Sequence, residues 1–286
     1  MGYGSWSSKD FTEYSTSVRG RSVTKDGTLC SSYSVQDLFT SKYIQPELNP
    51  HNVIRECCDS TDHPNTIPVI LALDVTGSMG SAAAEVAKKL NTVMTKLYKK
   101  VADIEFMVMG IGDLAYDSAP IQASQFEADI RIAEQLDKIY FEAGGGGNNY
   151  ESYTAAWYFG LRHTKLDCWE RGKKGIIITM GDEPLNPYLP KNTLSAVTGD
   201  SLQSDVETES LYKAASDKFD IYHLAVNDSA TSYRWYDKSI KDSFGKYLDE
   251  NHLITVCLDN IANTIVNIVC KAKDEAVVST NTEISW

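Results

Sequence analysis

The chain has 286 residues, 42% of them apolar and 23% charged, with a formal net charge of −12. Its length suits one large domain, or one domain with an extension, of ordinary globular composition. The acidic balance argues against a general binder of nucleic acid or anionic membrane, and no stretch approaches the roughly 18 apolar residues of a membrane span.

Residues 1–66 are rich in Ser and Thr and weakly patterned. Met1 to Trp6 shows neither the charged nor the apolar region of a secretory signal, and Cys30, Cys57, Cys58, Cys168, Cys257 and Cys270 show no C-x-x-C spacing. Both features point to a reducing, cytoplasmic setting. Ser15 to Val23 and Thr28 to Tyr33 read as short strands around a Lys25-Asp26-Gly27 turn, and Val35 to Tyr43 as a short helix stopped before Pro46. With so few apolar residues, 1–66 is expected to be an extension that packs on a main domain at 67–279, with 280–286 a tail.

From Ile67 the pattern alternates. Pro68 to Asp74 is a buried strand, and Met79 to Lys100 a helix carrying Ala83, Val86, Ala87, Leu90, Val93, Met94 and Leu97 at helical spacing. Ile104 to Ile111 is a second strand, Ile121 to Phe126 a half-exposed edge strand, and Ala128 to Phe141 a helix. A Gly144 to Gly147 run leads into a helix with Ala155, Ala156, Tyr158, Phe159 and Leu161. Lys174 to Met180 is a third buried strand. A polar loop, a helix at Val206 to Phe219, a strand at Ile221 to Val226, a helix at Tyr236 to Leu248, a strand at Leu253 to Leu258 and a helix at Ile261 to Val278 complete the chain.

This alternation predicts an α/β fold, Rossmann-like and doubly wound, with a mainly parallel central sheet. In such sheets ligands bind beyond the carboxyl ends of the strands, where the strand order reverses. Asp74, Asp113 and Asp182 each follow a predicted strand, so all three belong to one edge. After Asp74 come Thr76 and Ser78, hard oxygen donors gathered in a strand-to-helix turn, which suits a metal site. Taken singly, each has a plainer role: a hydroxyl that caps the helix, an aspartate in a turn. The glycine run lacks the Lys and spacing of a phosphate loop.

Jointly, Asp74-Val75-Thr76-Gly77-Ser78, the Gly144 to Ser152 loop and Thr179-Met180-Gly181-Asp182-Glu183-Pro184 resemble the von Willebrand factor A family and its metal-ion-dependent adhesion site, over about residues 67–275. The resemblance is to uncharacterised stand-alone members from bacteria and phage. It implies that Asp74, Thr76, Ser78, Asn148 and Asp182 hold Mg²⁺ (or Mn²⁺ or Ca²⁺), with Asp113, Asn149, Glu151 and Ser152 as neighbouring supports. Asn148 stands where Thr or Asp is usual; its carbonyl oxygen is a legitimate ligand that adds no charge. The implied function is non-enzymatic: the metal captures an Asp or Glu carboxylate of a protein partner, in some bacterial relatives beside AAA+ ATPases of the MoxR type. Two alternatives stand beside it. Asp74 to Ser78 also resembles the nucleophile loop of haloacid-dehalogenase-like Mg²⁺-dependent phosphotransferases, with Asp74 as nucleophile, although Thr76 stands where those enzymes carry a general-acid Asp. The other alternative is a structural module with a vestigial metal site.

Overall fold

The computed structural model describes residues 4–142, 148, 150–227 and 234–280. The chain begins with helix α1 (Ser8–Glu13), the one-turn helix α2 (Val35–Leu38) and strand β1 (Arg55–Cys57). The alternating part follows as β2 (Ile67–Asp74), α3 (Gly80–Tyr98), β3 (Ile104–Ile111), β4 (Ile121–Ala123), α4 (Arg131–Leu136), α5 (Thr154–Arg162) and β5 (Thr164–Leu166). It continues with β6 (Gly175–Gly181), β7 (Tyr188–Leu189), α6 (Lys191–Thr198), β8 (Val206–Glu207), α7 (Thr208–Ser216), β9 (Phe219–Val226), α8 (Arg234–Phe244), β10 (Leu253–Val256) and α9 (Ile261–Thr280).

The central six-stranded sheet has the order β10-β9-β6-β2-β3-β4, with every neighbour parallel except the antiparallel edge pair β3–β4. Because strand side chains alternate between faces, β2 feeds two cores. Val69, Leu71 and Leu73 pack with α3, α4 and α9, whereas Ile70 and Ala72 pack with α5, α7 and α8. Burial on both faces explains why β2, β3 and β6 read as nearly continuous apolar runs, interrupted by Glu105 in β3 and Thr179 in β6. Gly160 of α5 lies over Ile70, Ile177 and Phe219, where a methyl group would come within 3.1–3.2 Å of each, so α5 sits close to the sheet. The order reverses at β2, which continues to β3 on one side and neighbours β6 on the other.

The N-terminal segment contributes Trp6, Phe11, Leu29, Leu38, Phe39 and Leu48 to the α3–α9 core. Asn91, buried on α3, joins it by accepting from Trp6 Nε1 and donating to the Gly27 carbonyl, both at 2.9 Å. Asp137 is held by Arg21 at 2.7 Å and by the Tyr14 hydroxyl at 2.9 Å.

Several local expectations are corrected. The strand expected at Ser15 to Val23 gives way to a wide helical turn at Tyr14–Val18 continuing α1, whose first turn is capped by Ser7. The Lys25-Asp26-Gly27 turn forms, but the hairpin is reduced to one bridge between Val23 and Leu29. The helix expected to Tyr43 stops at Leu38, after a Ser34–Asp37 capping box. The edge strand is shorter and fully buried, since Arg55 donates to the Ala123 carbonyl and Gln122 exchanges hydrogen bonds with the Tyr140 backbone. Only Arg131–Leu136 of the Ala128 to Phe141 helix is helical. Val206 and Glu207 pair with β7 before α7 begins, Phe219 already belongs to β9, and α6 occupies part of the expected polar loop.

Candidate metal centre

Asp74 ends β2, and Asp182 follows β6 directly, so the two carboxylates flank the point where the strand order reverses. Asp74 is 0% exposed. Its Oδ1 accepts from the Thr76 backbone N–H at 2.9 Å and the Thr76 hydroxyl at 2.6 Å. Its Oδ2 accepts from the Tyr153 hydroxyl at 2.7 Å. The chain then makes a 3₁₀ turn at Gly77–Met79 and enters α3. Ser78, exposed on that turn, donates to Asp182 Oδ1 at 3.0 Å.

Tyr153 was not singled out by the sequence. It is fully buried just ahead of α5, and its hydroxyl also accepts from the Glu183 N–H at 3.2 Å, bridging the β2 and β6 loops. The bridge depends on Gly181, where a Cβ atom would overlap the Tyr153 hydroxyl. Nothing local marks such a pair, because the two residues meet only once α5 packs on the sheet.

The remaining predicted residues have distinct places. Asp113 is buried after β3; its Oδ1 accepts from Ala115 N–H at 2.8 Å and its Oδ2 has no hydrogen-bond partner. Glu151 is buried, with Oε2 likewise lacking a donor. Ser152 accepts from the Leu114 N–H at 3.0 Å, tying the β3 loop to the segment before α5. Asn148 is half-buried on the loop before α5, beside Tyr150. Asn149 and the Gly144 to Gly147 run lie outside the described residues.

The electrostatics are one-sided. Burial, with the charge of Asp182, raises the Asp74 pKa against the opposing hydrogen bonds from Thr76 and Tyr153. Burial raises Asp182, offset in part by Ser78. Glu151 is raised by burial and then by the charges of Asp74, Asp117 and Asp113. Among the described residues no Lys or Arg forms an ion pair with Asp74, Asp113, Glu151 or Asp182.

This arrangement fits a hard divalent cation. The Thr76 and Ser78 hydroxyl hydrogens are committed to carboxylates, which leaves their oxygen lone pairs for a metal, and the donor set is all oxygen. Among the described residues no three His, Cys, Asp or Glu side chains form a metal cage, so the hydroxyls are needed to complete any coordination shell.

No family model and no curated protein matches the chain. Solved structures do. The pilus adhesin SpaC of Lactobacillus rhamnosus GG, in its open conformation, is similar over 78% of this chain at 13% identity and a TM-score of 0.49. The chain spans only 31% of SpaC. The vWF domain of the type V pili tip protein Mfa5 from Porphyromonas gingivalis is similar over 77% of this chain and 98% of its own, at 14% identity and a TM-score of 0.43. Proximal thread matrix protein 1 of the mussel byssus is similar over 74% of this chain and 49% of its own, at 10% identity and a TM-score of 0.45.

Proposed function

We propose that the chain is a von Willebrand factor A-like interaction module, with a divalent cation held at Asp74, Thr76, Ser78 and Asp182 and used to capture an Asp or Glu carboxylate of a protein partner. The observation that carries this reading is the pair of hydroxyl–carboxylate contacts, Thr76–Asp74 and Ser78–Asp182, at the reversal of strand order. When bound, the cation supplies a Lewis-acidic position for an outside oxygen. The residues' own task is to hold the hydroxyl oxygens and Asp74 in fixed positions. By its resemblance, a MoxR-type ATPase is the partner class to try first. Asp74 is poorly placed as a phosphotransferase nucleophile, because it is fully buried and both its oxygens accept hydrogen bonds.

Calorimetric titration with Mg²⁺ and Mn²⁺ tests the centre. Binding that is lost in Ser78→Ala and Asp182→Asn supports it; absence of metal binding in the wild type leaves only the fold. Metal-dependent labelling by acetyl phosphate that is lost in Asp74→Asn would establish the enzymatic alternative instead.

A further inference from the structure

Three tyrosines stand on the loops that carry the carboxylates: Tyr116 after β3, Tyr150 before α5 and Tyr188 in β7. Tyr116 is 59% exposed, Tyr188 is 38% exposed and Tyr150 is half-buried. Tyr116 lies two residues from Leu114, Tyr150 two residues from Ser152 and Tyr188 three residues from Leu185. Backbone ties fix these loops to one another. Leu114 N–H donates to Ser152 Oγ, Glu151 N–H donates to the Pro184 carbonyl at 3.3 Å, and Glu151 forms a bridge with Leu185. The aromatic patch is therefore held in register with the Asp74–Asp182 centre. Exposed aromatic side chains gathered in one place mark an interaction surface.

The same face is acidic. Asp117, Glu142 and Glu183 are half-buried on it, in addition to Asp113 and the two carboxylates of the centre. Glu142 is fixed by the Ser118 N–H and hydroxyl, and none of Asp113, Asp117 and Glu142 forms an ion pair with Lys or Arg among the described residues. Asp113 Oδ2, buried without a donor, adds an unneutralised acceptor, whereas burial and the neighbouring acids hold Glu151 in its neutral form. A divalent cation balances Asp74 and Asp182 and no more. An incoming carboxylate then meets the field of the remaining acids, which disfavours a partner that is acidic throughout.

We propose that the partner presents a single Asp or Glu flanked by Arg or Lys, the acid seated at the metal and the basic side chains lying over Tyr116, Tyr150 and Tyr188 against the acidic rim. This rests on the metal-bridged reading above. A cation over a tyrosine face gains from the ring quadrupole, and the surrounding carboxylates add to that attraction.

Fluorescence anisotropy on the full chain in Mg²⁺ tests it, using synthetic peptides of equal length with a central Glu flanked by Arg, Gln or Glu. The Arg-flanked peptide is expected to bind about tenfold tighter than the Gln-flanked one, with the Glu-flanked peptide weakest and the gap narrowing as salt rises. Replacing the central Glu by Gln, or adding EDTA, should abolish binding. Tyr116→Ala and Tyr188→Ala should each weaken the Arg-flanked peptide roughly threefold and leave the Gln-flanked one unchanged. Equal, Mg²⁺-dependent binding of the Arg- and Gln-flanked peptides overturns the flanking preference and leaves the metal bridge standing. Binding that survives EDTA, or no binding by any peptide, overturns the metal bridge and this inference with it.

Discussion

Gly181→Ala is the sharpest test of how the centre is built. Gly181 closes β6 without needing a positive φ, so local rules favour the change: Gly in a strand interior is destabilising by roughly 0.5–1 kcal/mol relative to Ala. The packing predicts the opposite. The new methyl would occupy the position of the Tyr153 hydroxyl, in a side chain that is fully buried and cannot retreat to solvent. Overpacking costs about 1–3 kcal/mol. Displacing Tyr153 also removes its hydrogen bond to the Asp74 carboxylate, about 1.5–3 kcal/mol for a charged partner. The net expectation is a loss of about 1.5–5.5 kcal/mol. At about 2–4 °C per kcal/mol for a chain of this size, Tm should fall by roughly 3–22 °C. Tyr153→Phe removes the hydroxyl alone and should lose about 2 kcal/mol. Urea unfolding and calorimetry of both variants in EDTA give the comparison. A Gly181→Ala protein as stable as the wild type, or more so, refutes the Tyr153 bridge.

Mg²⁺ at about 100 times its dissociation constant should stabilise the wild type by roughly 2.7 kcal/mol in a thermal melt, and should leave Asp182→Asn unmoved. Asp137→Ala strips the buried acceptor of Arg21 and Tyr14 and is expected to cost about 3–5 kcal/mol in urea unfolding. Removing residues 1–50 takes six large side chains out of the α3–α9 core, roughly 9–18 kcal/mol at 1.5–3 each, which matches or exceeds the whole stability of a typical domain. Circular dichroism and limited proteolysis should therefore show an unfolded product. Burial lowers the His223 pKa to about 3, so the unfolded chain takes up this proton first and stability falls as pH drops below about 6.5. The His223 share at pH 4.5 is about 3 kcal/mol, and His223→Leu should show a correspondingly flatter acid limb in urea titrations.

The elements legible in the sequence are those whose burial is total. β2, β3 and β6 are covered on both faces, and α3 carries an unbroken apolar stripe, so composition alone marks them. The errors fall where structure depends on distant contacts. Tyr14–Val18 follows a helix anchored by Phe11 in a core supplied by residues far along the chain. β4 looks half-exposed because Gln122 and Ser124 are polar, yet Gln122 is satisfied by Tyr140 and Ser124 by the Val108 N–H. The centre divides in the same way. Asp74, Thr76 and Ser78 are legible because they lie within five residues of one another, and Asp182 because it ends a buried strand. Tyr153 depends on the missing side chain of Gly181, 28 positions away.

The two carboxylates of the centre are unequally held, and this orients it. Asp74 is fully buried and receives three donors, Thr76 N–H, Thr76 Oγ1 and Tyr153 Oη, which fix its position and oppose, without cancelling, the burial that raises its pKa. Asp182 is half-buried, and among the described residues its side-chain donor is the exposed Ser78. Charge buried behind fixed donors cannot rearrange cheaply, whereas a carboxylate held by one exposed hydroxyl can. A cation would therefore be held from behind by Asp74 and Thr76 and reached from solvent past Ser78 and Asp182. On that side an outside carboxylate meets one loosely held acid instead of two, so Ser78→Ala and Asp182→Asn should alter partner capture more than they alter the fold.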